Sequence, residues 1–106
     1  MKNKDFQIVY KKGKSYANKY LIMYVLANGT EENRLGISVS KKVGNSVVRH
    51  RLARLIRESY RLNRHMFNSG LNIIVIARAT AKGKGYAEIE SAFLHLTRMH
   101  KIAVHM

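Results

Sequence analysis

The chain has 106 residues, of which 20 are Lys or Arg and only 6 are Asp or Glu, a formal net charge of +14. A chain this short can bury one core but not two, which excludes a multidomain enzyme, and with 46% hydrophobic residues it is too apolar for a disordered polybasic tail. The absence of Cys excludes disulfides, thiolate chemistry and Cys-based zinc sites. The longest apolar run, Tyr20 to Ala27, is far short of the roughly 18 residues of a membrane span, so no membrane association is expected. The opening Met1-Lys2-Asn3-Lys4-Asp5 has no apolar stretch of a signal peptide behind it, and a cytoplasmic location is expected. No Pro and no linker-like stretch divides the chain, so residues 1–106 are expected to form a single domain. A compact domain with so large an excess of positive charge relieves its self-repulsion on a polyanion, which makes nucleic acid the expected partner class.

In chain order, Phe6, Val9 and Tyr10 at i, i+3 and i+4 predict a short helix over Asn3 to Lys12 with an aromatic face, ended by Gly13. Lys19 to Ala27 is dense in apolar residues on both of its alternating faces and predicts a strand buried on both sides. After the turn signal Asn28-Gly29-Thr30, Leu35, Ile37 and Val39 alternate with Gly36, Ser38 and Ser40, which predicts a second strand paired antiparallel with the first. Asn45 or Ser46 is placed to cap a helix beginning near Val47, in which Val48, Leu52, Leu55, Ile56, Ser59 and Tyr60 recur at helical spacing. Leu71 to Arg78 reads as a central strand and Tyr86 to Ala103 as a last helix, with Ile89, Phe93, Leu96 and Met99 or His100 turned inward. Between them, Lys82-Gly83-Lys84-Gly85 lacks the surrounding pattern of a nucleotide-binding loop and reads as a mobile basic turn. The residues alone thus predict helix, two strands, helix, strand, helix.

The second helix carries the main functional signal. At about 100° per residue counted from Arg49, His50, Arg54, Arg57, Arg61 and Arg64 fall within an arc of roughly 60° to 140°, while Leu52, Leu55, Ile56 and Ser59 lie near 240° to 340°. Residues 41 to 64 hold eight Lys and Arg against the single acid Glu58. A solvated face laced with salt bridges needs more carboxylates than that. Like charges at this spacing disfavour the isolated helix, and a bound anion reverses the penalty. Arg predominates over Lys, and its planar fork holds phosphates bidentately or stacks on bases, which suits structured RNA or DNA.

The run from Gly36 to Glu58, GISVSKKVGNSVVRHRLARLIRE, closely resembles the signature of the bacterial ribonuclease P protein family. Asp5-Phe6-Gln7 with Tyr10, Gly13, Ser15 and Ala17-Asn18 upstream, and Ile74-Val75-Ile76-Ala77-Arg78 downstream, extend the resemblance over nearly the whole chain. It implies an α/β (α+β) two-layer sandwich, with a mostly antiparallel sheet and three helices in the order α-β-β-(short β)-α-β-α. It also implies a left-handed crossover at the arginine-rich helix, against the general rule for such connections. The implied function is that of a protein subunit which binds the catalytic RNA of ribonuclease P and the 5′ leader of precursor tRNA, with the RNA cleaving by means of Mg2+ and no obligate protein partner. By the same resemblance, Lys41, Lys42, Asn45, Arg49, Arg51, Arg54 and Arg57, with His50 and Arg61 in the same set, contact the ribonuclease P RNA. Phe6, Tyr10, Ile22 and Tyr24 line a cleft for the leader between the first helix and the sheet. As bare residues these aromatics read as core, but aromatic faces also stack on unpaired bases without sequence preference. Two positions depart from the family pattern: His50 stands where its Arg-Asn-Arg motif has Asn, and Ala53 where it usually carries Lys, which implies a weaker leader contact.

A two-metal nuclease site needs clustered carboxylates. Here Glu88 and Glu90 diverge by about 200° on their helix, Glu31 and Glu32 fall in a turn, and His95, His100 and His105 are spaced by five rather than four. No metal site and no catalytic residue is expected in the polypeptide. The alternative reading, a structural RNA-binding protein such as a small ribosomal or chaperone-like component, explains the charge but not the signature together with Phe6, Tyr10 and Tyr24. A protein-only nuclease is a third and more distant one.

Overall fold

A computed structural model describes residues 1–103. The elements are α1 (Asn3–Lys12), β1 (Lys14–Ala17), β2 (Leu21–Ala27), β3 (Arg34–Ser38), α2 (Ser46–Asn63), β4 (Leu71–Ala77) and α3 (Tyr86–Met99), with short 3-10 turns at Arg64–Met66 and Ala79–Ala81. The four strands form one sheet in the order β1-β2-β4-β3. β2 runs antiparallel to both β1 and β4, whereas β3 lies parallel to β4.

The antiparallel pairing expected between the second apolar strand and the first does not form. Asn28-Gly29-Thr30 does turn the chain, with Gly29 at φ 75°. The turn is then strapped to the start of β4, where the Asn28 amide donates to the Gly70 carbonyl at 2.9 Å and its side chain to Asn72 Oδ1 at 3.0 Å. Asn33 continues the strap, accepting from the Leu71 amide at 2.9 Å and donating to the Asn68 carbonyl at 2.8 Å. β3 is thereby delivered to the far side of β4. Strand β1, which residue periodicity does not reveal, supplies the other edge.

One face of the sheet carries the main core. Leu21 and Met23 of β2 and Ile73, Val75 and Ala77 of β4 pack with Leu52 and Ile56 of α2 and Ile89, Phe93 and Leu96 of α3. α1 crosses the opposite face, burying Val9 and Ile74 fully. That face is only half covered: Ile22, Tyr24 and Ile76 remain half-buried, so β2 is not enclosed on both sides as its composition predicted. α3 also stops short of its predicted end, at Met99. Lys101 takes a left-handed conformation (φ 57°), the Ile102 amide returns to the Thr97 carbonyl, and the turn buries Ile102 while Ala103 bridges to Phe67.

α1 is seated through Gly36 of β3. A Cβ built there would lie 2.6 Å from the tip of the Phe6 ring. Gly36→Ala is therefore expected to displace Phe6 and lower stability by about 1 to 3 kcal/mol, read from the urea midpoint. An unchanged midpoint would show that the ring yields freely.

Candidate nucleic-acid interface

α2 begins at a cap. Asn45 Oδ1 accepts from the Val48 amide at 3.0 Å, and the buried Val43 holds the preceding turn against the core, leaving Lys41 and Lys42 exposed. The apolar stripe of Leu52, Ile56 and Ser59 is buried. It turns His50, Arg51, Arg54, Arg57, Arg61 and Arg64 to solvent, with Arg49 half-buried beside them. The cationic face drawn from helical spacing is thus present as one surface.

Its members are not equivalent. Arg61 is held by Glu58 in a two-pronged ion pair, with Nε to Oε1 at 3.0 Å and Nη2 to Oε2 at 2.9 Å. That contact lowers the pKa of the Glu58 carboxyl and raises that of the guanidinium. Arg51 Nη1 donates to the Lys84 carbonyl at 2.9 Å, tying the helix to the loop before α3. Asn45 is committed to its cap. Arg54 and Arg57 make no hydrogen bond or ion pair among the described residues. Arg49 Nε is buried without a partner, so part of its guanidinium lacks a hydrogen-bond acceptor among the described residues. The cations with spare donors are therefore Arg49, Arg54 and Arg57, flanked by Lys41, Lys42 and the exposed His50. Arg64, within the cationic arc but outside the contact set implied by the resemblance, joins Arg57 and Arg61 around Tyr60 and Leu35 beside β3.

The half-covered sheet face forms a second surface. Strand register sets Ile22 beside Ile76 and Ile76 beside Ser38, while Tyr24 sits beside Ile74 and Ile74 beside Gly36. α1 lays Phe6 and Tyr10 over this floor. The Tyr10 ring is 6.1 Å from Phe6 and meets Tyr24 edge-on at 5.0 Å. Tyr10 is 39% exposed. Burial raises its pKa, outweighing the opposing influence of the nearby Ser38 hydroxyl. Phe6, Tyr10, Ile22 and Tyr24 are thus brought together as one aromatic cleft. Ile76 and Ser38 belong to it as well, and only the parallel placement of β3 could have revealed Ser38.

Two of the histidines, His95 and His100, make structural contacts. His100 Nε2 lies 2.8 Å from the Met23 carbonyl oxygen, with its ring 4.7 Å from Tyr16 and its pKa lowered by burial. His95 Nδ1 meets the Asn18 side chain at 3.2 Å. His105 lies outside the described residues. No group of three or more His, Asp or Glu converges as a metal site among the described residues, and no helix among them is long and apolar enough to cross a membrane.

The family model for Ribonuclease P matches residues 1–101. The chain belongs to the ribonuclease P protein family. It is 66% identical over 100 residues to the ribonuclease P protein component of Lachnoclostridium phytofermentans, covering 94% of this chain and 86% of that one. It is 55% identical to the component from Alkaliphilus metalliredigens, covering 95% and 91%. Among solved structures, the Staphylococcus aureus RNase P protein superposes with a TM-score of 0.90 at 40% identity, over 97% of this chain and 94% of that one. The Thermotoga maritima RNase P protein gives 0.82 at 32% identity, over 89% and 90%. The family's proteins are partners of ribonuclease P RNA in the metal-dependent endoribonuclease that processes the 5′ end of tRNA. The role of Asn45 as a cap is testable in the free chain. Asn45→Ala is expected to cost about 1 kcal/mol of stability, seen as a lowered Tm without RNA. An unchanged Tm would return Asn45 to the surface as a contact residue only.

Proposed function

We propose that the exposed face of α2 binds the ribonuclease P RNA and that the aromatic cleft under α1 binds the 5′ leader of precursor tRNA, in the cytoplasm and without an obligate protein partner. The observation that carries this reading is the exposed pair Arg54 and Arg57, whose side chains make no hydrogen bond or ion pair among the described residues, beside half-buried Arg49, whose Nε has no acceptor there. Such a set neutralises phosphates and exchanges its counterions for the RNA backbone. Lys41, Lys42 and His50 extend it. Arg51 and Arg61 contribute charge while their own donors are partly engaged.

The cleft differs in chemistry as well as in position. Phe6, Tyr10 and Tyr24 offer ring faces and edges to unpaired bases, Ile22 supplies apolar floor, and the Tyr10 hydroxyl supplies a donor. Stacking of this kind is tolerant of sequence, as a leader that varies from one precursor to another requires.

The cleavage itself is assigned to the RNA with Mg2+. The chain's carboxylates are dispersed and several are committed: Glu58 to Arg61, Glu88 to the Gly85 amide at 3.0 Å, and Glu90 to Tyr86 and Asn63. A divalent ion holding a scissile phosphate needs oxygen ligands that converge, and the RNA's phosphates supply them.

The decisive experiment is single-turnover cleavage of precursor tRNA by bacterial ribonuclease P RNA at low magnesium, with the chain, without it, and with the chain alone. Rescue by the chain and no cleavage by the chain alone are expected. Tight RNA binding without rescue would leave a general RNA-binding protein. In the reconstituted holoenzyme, Tyr24→Ala is expected to weaken precursor tRNA by about 1 to 3 kcal/mol, the worth of one stacked base, and to spare mature tRNA. Equal losses for both would remove the cleft from leader binding.

A further inference from the structure

A third surface lies apart from both. α3 and the turn Asn18 to Tyr20 enclose an open groove of about 560 Å³, a volume in the range of small-ligand sites. Its floor is apolar and built from small side chains, Ala87 and Ala92, with the Tyr20 ring along one wall. Its rim is cationic. Lys19 lines it and Lys84 reaches the same Tyr20 ring from the loop beside it, their Nζ atoms 5.5 Å and 5.7 Å from the ring centre, and Arg98 also lines it, its guanidinium without a hydrogen bond or ion pair among the described residues. The one acid at the groove, Glu88, is turned to the start of its own helix by its bond to the Gly85 amide.

The groove is also preorganised. Asn18 Oδ1 accepts from the Tyr20 and Leu21 amides at 3.2 Å and 3.0 Å, which fixes the amide's orientation. Its Nδ2 therefore donates to the Ala92 carbonyl at 2.8 Å and to His95 Nδ1 at 3.2 Å. With Nδ1 accepting, the His95 ring presents Nε2 as its donor, without a partner among the described residues. Behind the turn, Arg78 donates to the Asn18 carbonyl at 2.6 Å and Thr80 to the Lys19 carbonyl. The Lys82-Gly83-Lys84-Gly85 segment, expected to be a mobile turn, is anchored as well, by the Arg51 bond to the Lys84 carbonyl and by Glu88 at Gly85.

We propose that this groove is a second RNA subsite, which seats one unpaired nucleotide with its base on the Ala87, Ala92 and Tyr20 surface and its phosphates on Lys19, Lys84 and Arg98. The choice of occupant rests on charge complementarity. A second copy of a chain carrying +14 is repelled by this rim, whereas a flat apolar ring joined to an anion matches both parts of the groove. Only the choice of RNA over another anion leans on the function proposed above.

The test uses the full chain, isotopically labelled, with pentauridylate as probe and hexaglutamate as control, followed by amide NMR at low salt. Pentauridylate is expected to shift Asn18, Tyr20, Ser91 and Ala92 with a saturation curve of their own, and hexaglutamate is expected not to. Ser91 is exposed, so Ser91→Trp fills the groove from outside. It is expected to weaken binding at these amides at least about fivefold, the loss of one stacked base, while shifts at Tyr10 and Tyr24 stay unchanged. Should that variant not fold, the double reversal Lys19→Glu with Arg98→Glu is expected to give the same loss. No shift at these amides, an equal shift with hexaglutamate, or indifference to both variants would overturn the subsite. Shifts at the groove with none at Tyr10 and Tyr24 would support the subsite and count against the leader cleft instead.

Discussion

The parallel pairing of β3 with β4 is the constraint on which the rest of the molecule depends. Parallel neighbours cannot be joined by a tight turn, so the chain between them must travel back along the sheet, and here α2 makes that journey. The crossover explains why an unfavourably charged helix exists at all. Its buried stripe of Leu52, Ile56 and Ser59 is held by the sheet and α3, and this packing keeps a row of arginines in register that would repel one another in an isolated helix. The same connection draws α2 and α3 onto one face of the sheet and leaves the other to α1 alone.

That asymmetry separates two kinds of chemistry. One face is closed by two helices and is dry. The other is bridged by a single helix standing on Gly36 and Ile74, and the floor left open beside it is where Tyr10, Tyr24, Ile22 and Ile76 gather. Charge lies outside the closed layer and aromatic surface lies inside the open one. A cationic surface and an aromatic surface therefore do not compete for the same side chains.

Much of this was legible from the residues. Helical spacing placed all three helices, and the wheel of α2 separated core from cation because burial and charge alternate cleanly along it. The failures share a physical cause, which is that local signals do not encode long-range partners. Asn28-Gly29 is a sound turn signal, but which strand follows it was decided by Asn28 and Asn33 bonding across to Gly70, Asn72, Leu71 and Asn68. Lys14–Ala17 is short and mostly exposed, so no apolar alternation marks it as a strand. In the candidate interface, the residue types were legible but their commitments were not. Helical spacing sets Arg51 off from the arc that holds Arg54, but it does not say that Arg51 reaches the Lys84 carbonyl while the Arg54 side chain makes no such bond among the described residues. The cleft's aromatics were the hardest to place, since a ring that packs and a ring that awaits a base look alike until the cover above it is known.

The open sheet ends in two edges, β1 and β3, each with one row of backbone donors and acceptors that no neighbouring strand takes up. Such edges are templates for strand addition and aggregation. Arg34 lies within β3, Arg57, Arg61 and Arg64 gather beside it, and Lys14 begins β1. Two copies approaching edge to edge meet like charges before any backbone bond can form, so the cations along these edges oppose polymerisation of the free chain through its own sheet.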